Sequence, residues 1–258
     1  MDVLPVLISG VALLFSFGTT YVSYRRTKAQ DLQDMRQELR GLLQRLAALP
    51  RENVEAQEKY AKDPSLVSLL GGYINQENAL LSTQAAEVAK KLPKGTVSST
   101  EYYSIGVALG NSYDLQNQKA FLKLSVETAK DFNTEIAALR TMGNLEFIMG
   151  QPDAGRVEYQ KALGIFSKYQ GYDPFTMTNT NIFTELAWAN SEANMGKRAA
   201  ADQHIENAEH LLANLPFGKG SEMIRSRVAE ARRLFEQGGI PASPVTGSQL
   251  ATAPASSK

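Results

Sequence analysis

The sequence predicts an all-α protein: an N-terminal transmembrane helix, a short heptad helix, and an α-solenoid of helix hairpins closed by a C-terminal capping helix. Three observations predict it. An uncharged apolar run opens the chain, leucines spaced alternately three and four apart follow, and one pattern of small and apolar residues then recurs three times. Helical spacing of apolar positions and self-similarity at a fixed period are the sequence marks of stacked helices.

The first element is expected over residues 1–24. Val3 to Tyr24 carry no charged side chain. As a helix they would reach roughly 33 Å, enough for a hydrocarbon core of about 30 Å. Pro5 falls in the first turn, where the missing N–H costs little. Tyr21 and Tyr24 stand at the far end, where interfacial aromatics collect. A cleaved signal would open with basic residues and end in a small-x-small site; this chain opens Met1-Asp2, and its basic residues, Arg25, Arg26 and Lys28, come after the apolar run. That order predicts a retained anchor with the N-terminus outside and the repeat domain cytoplasmic.

Residues 25–50 follow as a juxtamembrane heptad helix. Leu32, Met35, Leu39, Leu42, Leu46 and Leu49 form an uninterrupted a/d seam. The seam fits a parallel homodimer, and equally an amphipathic stalk that packs on the repeats or lies on lipid. Pro50 is expected to end this helix. Residues 51–64 are polar, with alternating charge and no apolar face, and read as a linker or a weak helical extension.

The repeat domain is expected over residues 65–237. Its first copy is Leu109-Gly110-Asn111-Ser112-Tyr113 with Leu122, Val126 and Ala129. The second is Met142-Gly143-Asn144-Leu145 with Gly150, Gly155, Tyr159 and Ala162. The third is Trp188-Ala189-Asn190 with Gly196, Ala201, Ile205 and Ala208. The small residue marks a close approach of two helices, and Gly150 and Gly196 mark turns that need positive φ. The later apolar group is the inner face of a second helix. One hairpin cannot bury that face alone, so copies must stack. On this register copies one and two are 33 residues apart (110 to 143) and copies two and three 46 (143 to 189). The extra length is expected as a loop in Lys168 to Thr178. Residues 65–93 read as a further helix pair broken near Gly71-Gly72. Ser98 and Glu101 read as a capping box, Ser221 to Phe235 as a polar-faced cap, and residues 238–258 as a disordered tail.

This pattern resembles the tetratricopeptide repeat family over roughly residues 100 to 215, best in the second copy: Leu139, Met142-Gly143, Gly150, Gly155, Tyr159 and Ala162. The first copy departs with Asn117 at the turn and Leu122 at a small position, and the third with Glu185 at an apolar one. The resemblance implies a concave groove lined by the first helix of each hairpin. It also implies that asparagine on that helix holds the backbone of an extended peptide. On the register above the positions are Asn111, Asn144 and Asn190. An amide offers donors and an acceptor together. Arg140, one turn before Asn144, is placed to meet a carboxylate. The competing reading makes the asparagines ties between helices and Arg140 a solvated charge. Val107, Phe183 and Leu186 on neighbouring first helices favour a mixed apolar–polar ligand.

Composition excludes several classes. There is no cysteine, so disulfides and thiolate chemistry are absent. Basic and acidic residues balance at 27 each, and no basic stripe suggests nucleic acid. His204 and His210 lie six apart, on different faces of a helix, and are expected at the surface without a metal. Glu206 and Glu209 read as solvated. No phosphate loop or nucleophile elbow is present. We therefore expect no catalytic residue, no cofactor and no metal. The expected function is a membrane-anchored adaptor that binds a protein or peptide in the groove. The alternatives are a self-assembling membrane scaffold with no groove ligand, its groove filled by the chain's own tail or linker, and an exported envelope-assembly factor of opposite topology.

Overall fold

The computed structural model describes residues 4–215 and 219–239; for 4–23 and Lys219 it describes the backbone only. The apolar run expected to cross a membrane therefore lies, apart from Tyr24, outside the residues whose side chains are described. Residues 240–258, most of the expected tail, lie outside altogether. Among the described residues no helix is long and apolar enough to cross a membrane. The described chain is all-α, ten helices and no strand, and divides into two compact units, residues 1–97 and 98–258.

The first unit is a hairpin of α1 (Leu4–Lys59) and α2 (Pro64–Lys91). Two expectations need correction here. Pro50 does not end a helix but sits inside α1, so 51–59 is a helical extension rather than a linker. A proline restricts the residue before it without forbidding a helix through it, and Glu52 bonds back to Arg45 across the site. Residues 65–91 of the expected pair at 65–93 are one continuous helix. Gly71 and Gly72 lie within α2 with nothing near their missing Cβ atoms, so each only weakens the helix by about 1 kcal/mol.

The heptad seam is the surface on which α2 lies. Leu39, Leu46 and Leu49 are buried, and Leu32, Met35 and Leu42 are half-buried. Arg45 Nε donates to Glu77 Oε1 at 2.5 Å across the hairpin. Leu39, Leu46 and Leu49 of the expected seam are thus already covered within their own chain, in the α1–α2 hairpin, while Leu32, Met35 and Leu42 stay partly open.

The second unit stacks three hairpins and a cap. The hairpins are α3 (Ser99–Asn111) with α4 (Leu115–Thr128), α5 (Phe132–Ile148) with α6 (Pro152–Leu163), and α8 (Pro174–Asn194) with α9 (Arg198–Ala213). The short α7 (Ile165–Lys168) follows α6, and α10 (Lys219–Glu236) closes the stack. The capping box at Ser98 and Glu101 opens α3 as expected. The expected loop at 168–178 is shorter, because α8 already begins at Pro174, capped by Asp173. Residues 174–178 of that stretch therefore belong to α8.

The three turns inside the hairpins are superimposable in their hydrogen bonding. Tyr113 N, Gly150 N and Gly196 N donate three residues back, to Gly110, Phe147 and Ala193. Asp114 N, Gln151 N and Lys197 N donate five back, to Leu109, Glu146 and Glu192. These are Schellman turns with a left-handed residue at the same point: Tyr113 at φ 61, Gly150 at φ 74 and Gly196 at φ 71.

The turns correct the register of the first copy by four residues. The small residue seven before each turn is Gly106, Gly143 or Ala189, not Gly110. A Cβ on Gly106 would stand 3.2 Å from Leu122, and one on Gly143 would stand 2.9 Å from the Tyr159 ring. Leu122, Tyr159 and Ile205 occupy one position, all wholly buried; Ser125, Ala162 and Ala208 occupy the next. The first hairpin is therefore 37 residues from the second (106 to 143), not 33.

Charge pairs tie successive hairpins at equivalent positions. Lys119 Nζ on α4 meets the buried Glu146 of α5 at 2.7 Å. Arg156 on α6 meets the buried Glu192 of α8 with two bonds, of 2.7 and 3.0 Å. At the cap the polarity reverses: Arg232 of α10 bonds Asp202, and Glu209 at 2.7 Å, both on α9. Glu209, expected to be solvated, is one half of this tie.

Candidate functional site

A cleft of about 340 Å³ opens between the C-terminal ends of α5 and α8. Asn144, Phe147 and Ile148 line it from α5. Asn190, Ser191, Asn194 and Met195 line it from α8 and the turn after it. None carries a charge. Ile148 and Met195 expose large apolar surface, and the asparagines supply amides.

The wall is set from the core outward. Gly143 lets Tyr159 of α6 pack flat against α5, and Tyr159 is wholly buried. Burial raises its pKa, so the phenol stays protonated. Its hydroxyl meets Ala187 O at 3.2 Å and Ser191 Oγ at 2.8 Å. Ser191 Oγ also lies 3.2 Å from Asn144 Oδ1, to which it donates. Asn144, its oxygen held by Ser191, lines the cleft. Asn190 is only 6% exposed, and no described residue bonds its side-chain amide. At the cleft wall its donors and acceptor are unused by the described residues.

The four residues expected to bind peptide do not share one fate. Asn144 and Asn190 sit at equivalent positions and meet at the cleft. Asn111 does not join them: it is exposed at the end of α3, and the position matching Asn144 is held by Val107, which packs into the hydrophobic core of the first hairpins. Arg140 lies one turn before Asn144 as expected, but it is neither a solvated charge nor open to the cleft alone. Its Nε and Nη2 donate to Thr184 Oγ1 at 2.9 and 2.8 Å, and Nη2 also donates to Thr180 O, tying α5 to α8. Among the described residues no carboxylate pairs with it, and desolvation pushes its pKa down to about 10.

Sequence reasoning missed Phe147, Ile148, Ser191, Asn194 and Met195. The available signal was the helical repeat itself: Ile148 and Asn194 stand four residues beyond Asn144 and Asn190, on the same face.

Behind the cleft lies a second network. Trp188 stacks on Tyr159 at 5.5 Å and on His204 at 4.0 Å. His204 Nδ1 lies 2.7 Å from Glu185 Oε2, and Trp188 Nε1 donates to Glu192 at 3.2 Å. His204 is therefore not the surface residue expected of it, whereas His210 is exposed. Glu185, which stands where an apolar residue was expected, is accommodated because His204 pairs with it. Burial works against the Glu192 carboxylate, but the hydrogen bonds from Arg156 and Trp188 outweigh it and hold its pKa below the usual range. Among the described residues no group of His, Asp and Glu side chains is arranged to hold a metal ion.

No family model, curated protein or solved structure matches this chain.

Proposed function

We propose that the protein is a membrane-anchored adaptor whose stacked hairpins, of tetratricopeptide type, bind an extended peptide in the α5–α8 cleft. The observation that carries this reading is the Asn190 amide, bonded by no described residue and lining the cleft beside Asn144. Two amides on adjacent first helices can pair with the N–H and C=O groups of one extended backbone. The uncharged, partly apolar lining suits a neutral segment with one apolar side chain. Arg140 contributes by fixing the spacing of α5 and α8, not by clamping a carboxylate.

The anchor rests on the uncharged run of residues 3–24, and the basic residues after it favour a cytoplasmic repeat domain. A reporter fused after Lys258 tests the topology: activity only on the outer side of the membrane refutes it.

The peptide reading is tested by panning a phage-displayed peptide library against the full chain in detergent micelles. Enrichment of uncharged sequences sharing one apolar position, lost with Asn144→Ala and Asn190→Ala together, supports it. Enrichment of acidic peptides, or recovery indifferent to both substitutions, refutes it.

A further inference from the structure

The cleft and the point where the described chain ends lie on one rim of the stack. The helix α10 ends in the same Schellman turn as α3, α5 and α8: Gly238 N donates to Phe235 O and Gly239 N to Leu234 O, with Gly238 at φ 79. Phe235 packs against Ala193 and Ala201. Its carbonyl accepts from Arg198 at 2.6 Å, and the Arg198 guanidinium lies 4.5 Å over its ring. Arg198 is three residues beyond Met195, which lines the cleft. The chain therefore leaves α10 beside the cleft wall.

We propose that residues 240–258 occupy this cleft in the resting protein, as a built-in ligand that a partner peptide must displace. This rests on the cleft being a peptide site, and it adds the identity of the first occupant. Reach is sufficient. Packed helices lie about 10 Å apart, so the cleft, between the next two first helices, is roughly 15 Å from the axis of α10. About five extended residues span that distance at roughly 3.3 Å each, which brings Val245 to the cleft. The chemistry matches too. Ile240 to Ser257 contain no charged residue in a chain that is 21% charged, and the seven cleft residues are likewise neutral. Pro241 and Pro244 favour an extended backbone, the form that paired asparagine amides can bind. Val245 supplies one apolar side chain between small neighbours, for the wall of Phe147, Ile148 and Met195.

The chain has no cysteine, so introduced pairs report cleanly. In the full chain, Met195→Cys would be combined in turn with Val245→Cys, Leu250→Cys and Ser256→Cys, and each tail variant also with the exposed control Lys123→Cys on α4. The expected result is that the Met195→Cys, Val245→Cys pair oxidises within one chain at least tenfold faster than any other. Adding Asn190→Ala, with helicity unchanged, removes that advantage. Equal rates along the tail, or disulfides only between chains, would overturn the proposal. A library-selected peptide provides the second readout: deleting residues 240–258 should tighten its binding at least tenfold, because a tethered competitor acts at millimolar effective concentration. Unchanged binding after the deletion sinks the built-in ligand while leaving the peptide cleft standing. Absence of any peptide binding in both forms removes both.

Discussion

Replacing Tyr113 with glycine should stabilise the protein. Tyr113 holds φ 61 in the turn between α3 and α4, where the equivalent turns carry Gly150 and Gly196. It is 87% exposed, so its side chain contributes little packing that could be lost. A left-handed conformation costs a residue with a Cβ roughly 1–2 kcal/mol. Glycine removes that cost but adds unfolded-state entropy worth about 0.4–1 kcal/mol. The net expectation for Tyr113→Gly is a gain of about 0.5–1 kcal/mol, or roughly 1–4 °C in Tm for a unit of this size. The register read from sequence places the turn glycine at Asn117 instead. In the structure Asn117 lies in the first turn of α4, with its N–H and amide both bonded to Asp114, so Asn117→Gly should lower Tm. Thermal denaturation followed by circular dichroism separates the two. A lower Tm for Tyr113→Gly together with a higher one for Asn117→Gly would overturn the placement of the turn at Tyr113.

Three further outcomes follow from packing and charge. A Cβ on Gly155 would stand 2.5 Å from the Phe147 ring and 2.8 Å from Gly143 O; the backbone oxygen cannot yield, so Gly155→Ala should cost about 2 kcal/mol in urea denaturation, and a neutral result would mean that α5 and α6 are not this close. Glu192→Gln should lower stability at neutral pH by about 2 kcal/mol, the reduced penalty of a pair whose Arg156 side is partly open to water. Because the folded Glu192 pKa is held below its unfolded value, its contribution is complete above the ordinary glutamate value of about 4.3 and disappears as the pH falls through the lower folded pKa. Tm curves of wild type and Glu192→Gln should therefore converge below that range, and a constant gap down to the lowest accessible pH would contradict the assignment. Leu39→Asp places a charge at a fully buried point of the α1–α2 hairpin and should open that hairpin to limited proteolysis near Tyr60–Asp63; continued protection would mean that the seam residue is buried by something other than α2.

Helix existence and the hairpin plan were legible because Gly150, Gly196 and the later Tyr159–Ala162 and Ile205–Ala208 groups obey one spacing. The first copy was misread because Gly110-Asn111 imitates Gly143-Asn144 four residues late. Its turn uses a tyrosine where glycine is the usual signal, and its true small residue, Gly106, is followed by Val107. The same slip equated Asn111 with Asn144 and Asn190. The tie made by Arg140 was invisible because its partners, Thr180 and Thr184, lie 40 and 44 residues away, beyond any local pattern. Pro50 was given the weight of a helix breaker, yet the surrounding helix continues through it. The seam of Leu39, Leu46 and Leu49 was correctly seen as apolar and helical. An a/d pattern alone does not say whether the covering helix comes from another chain or from the same one.

On the proposed function, Asn144 and Asn190 together are expected to hold a peptide, and Asn111 is not. The most direct measurement is a fluorescence-anisotropy titration of one library-selected, uncharged peptide against the full chain and three single variants. Losing one amide's pair of hydrogen bonds, worth about 1.4 kcal/mol, corresponds to a tenfold weaker Kd. The expected result is a loss of about that size for Asn190→Ala and for Asn144→Ala, with Asn111→Ala unchanged. Equal affinity for all four proteins, or a loss confined to Asn111→Ala, would rule out the α5–α8 cleft as the peptide site.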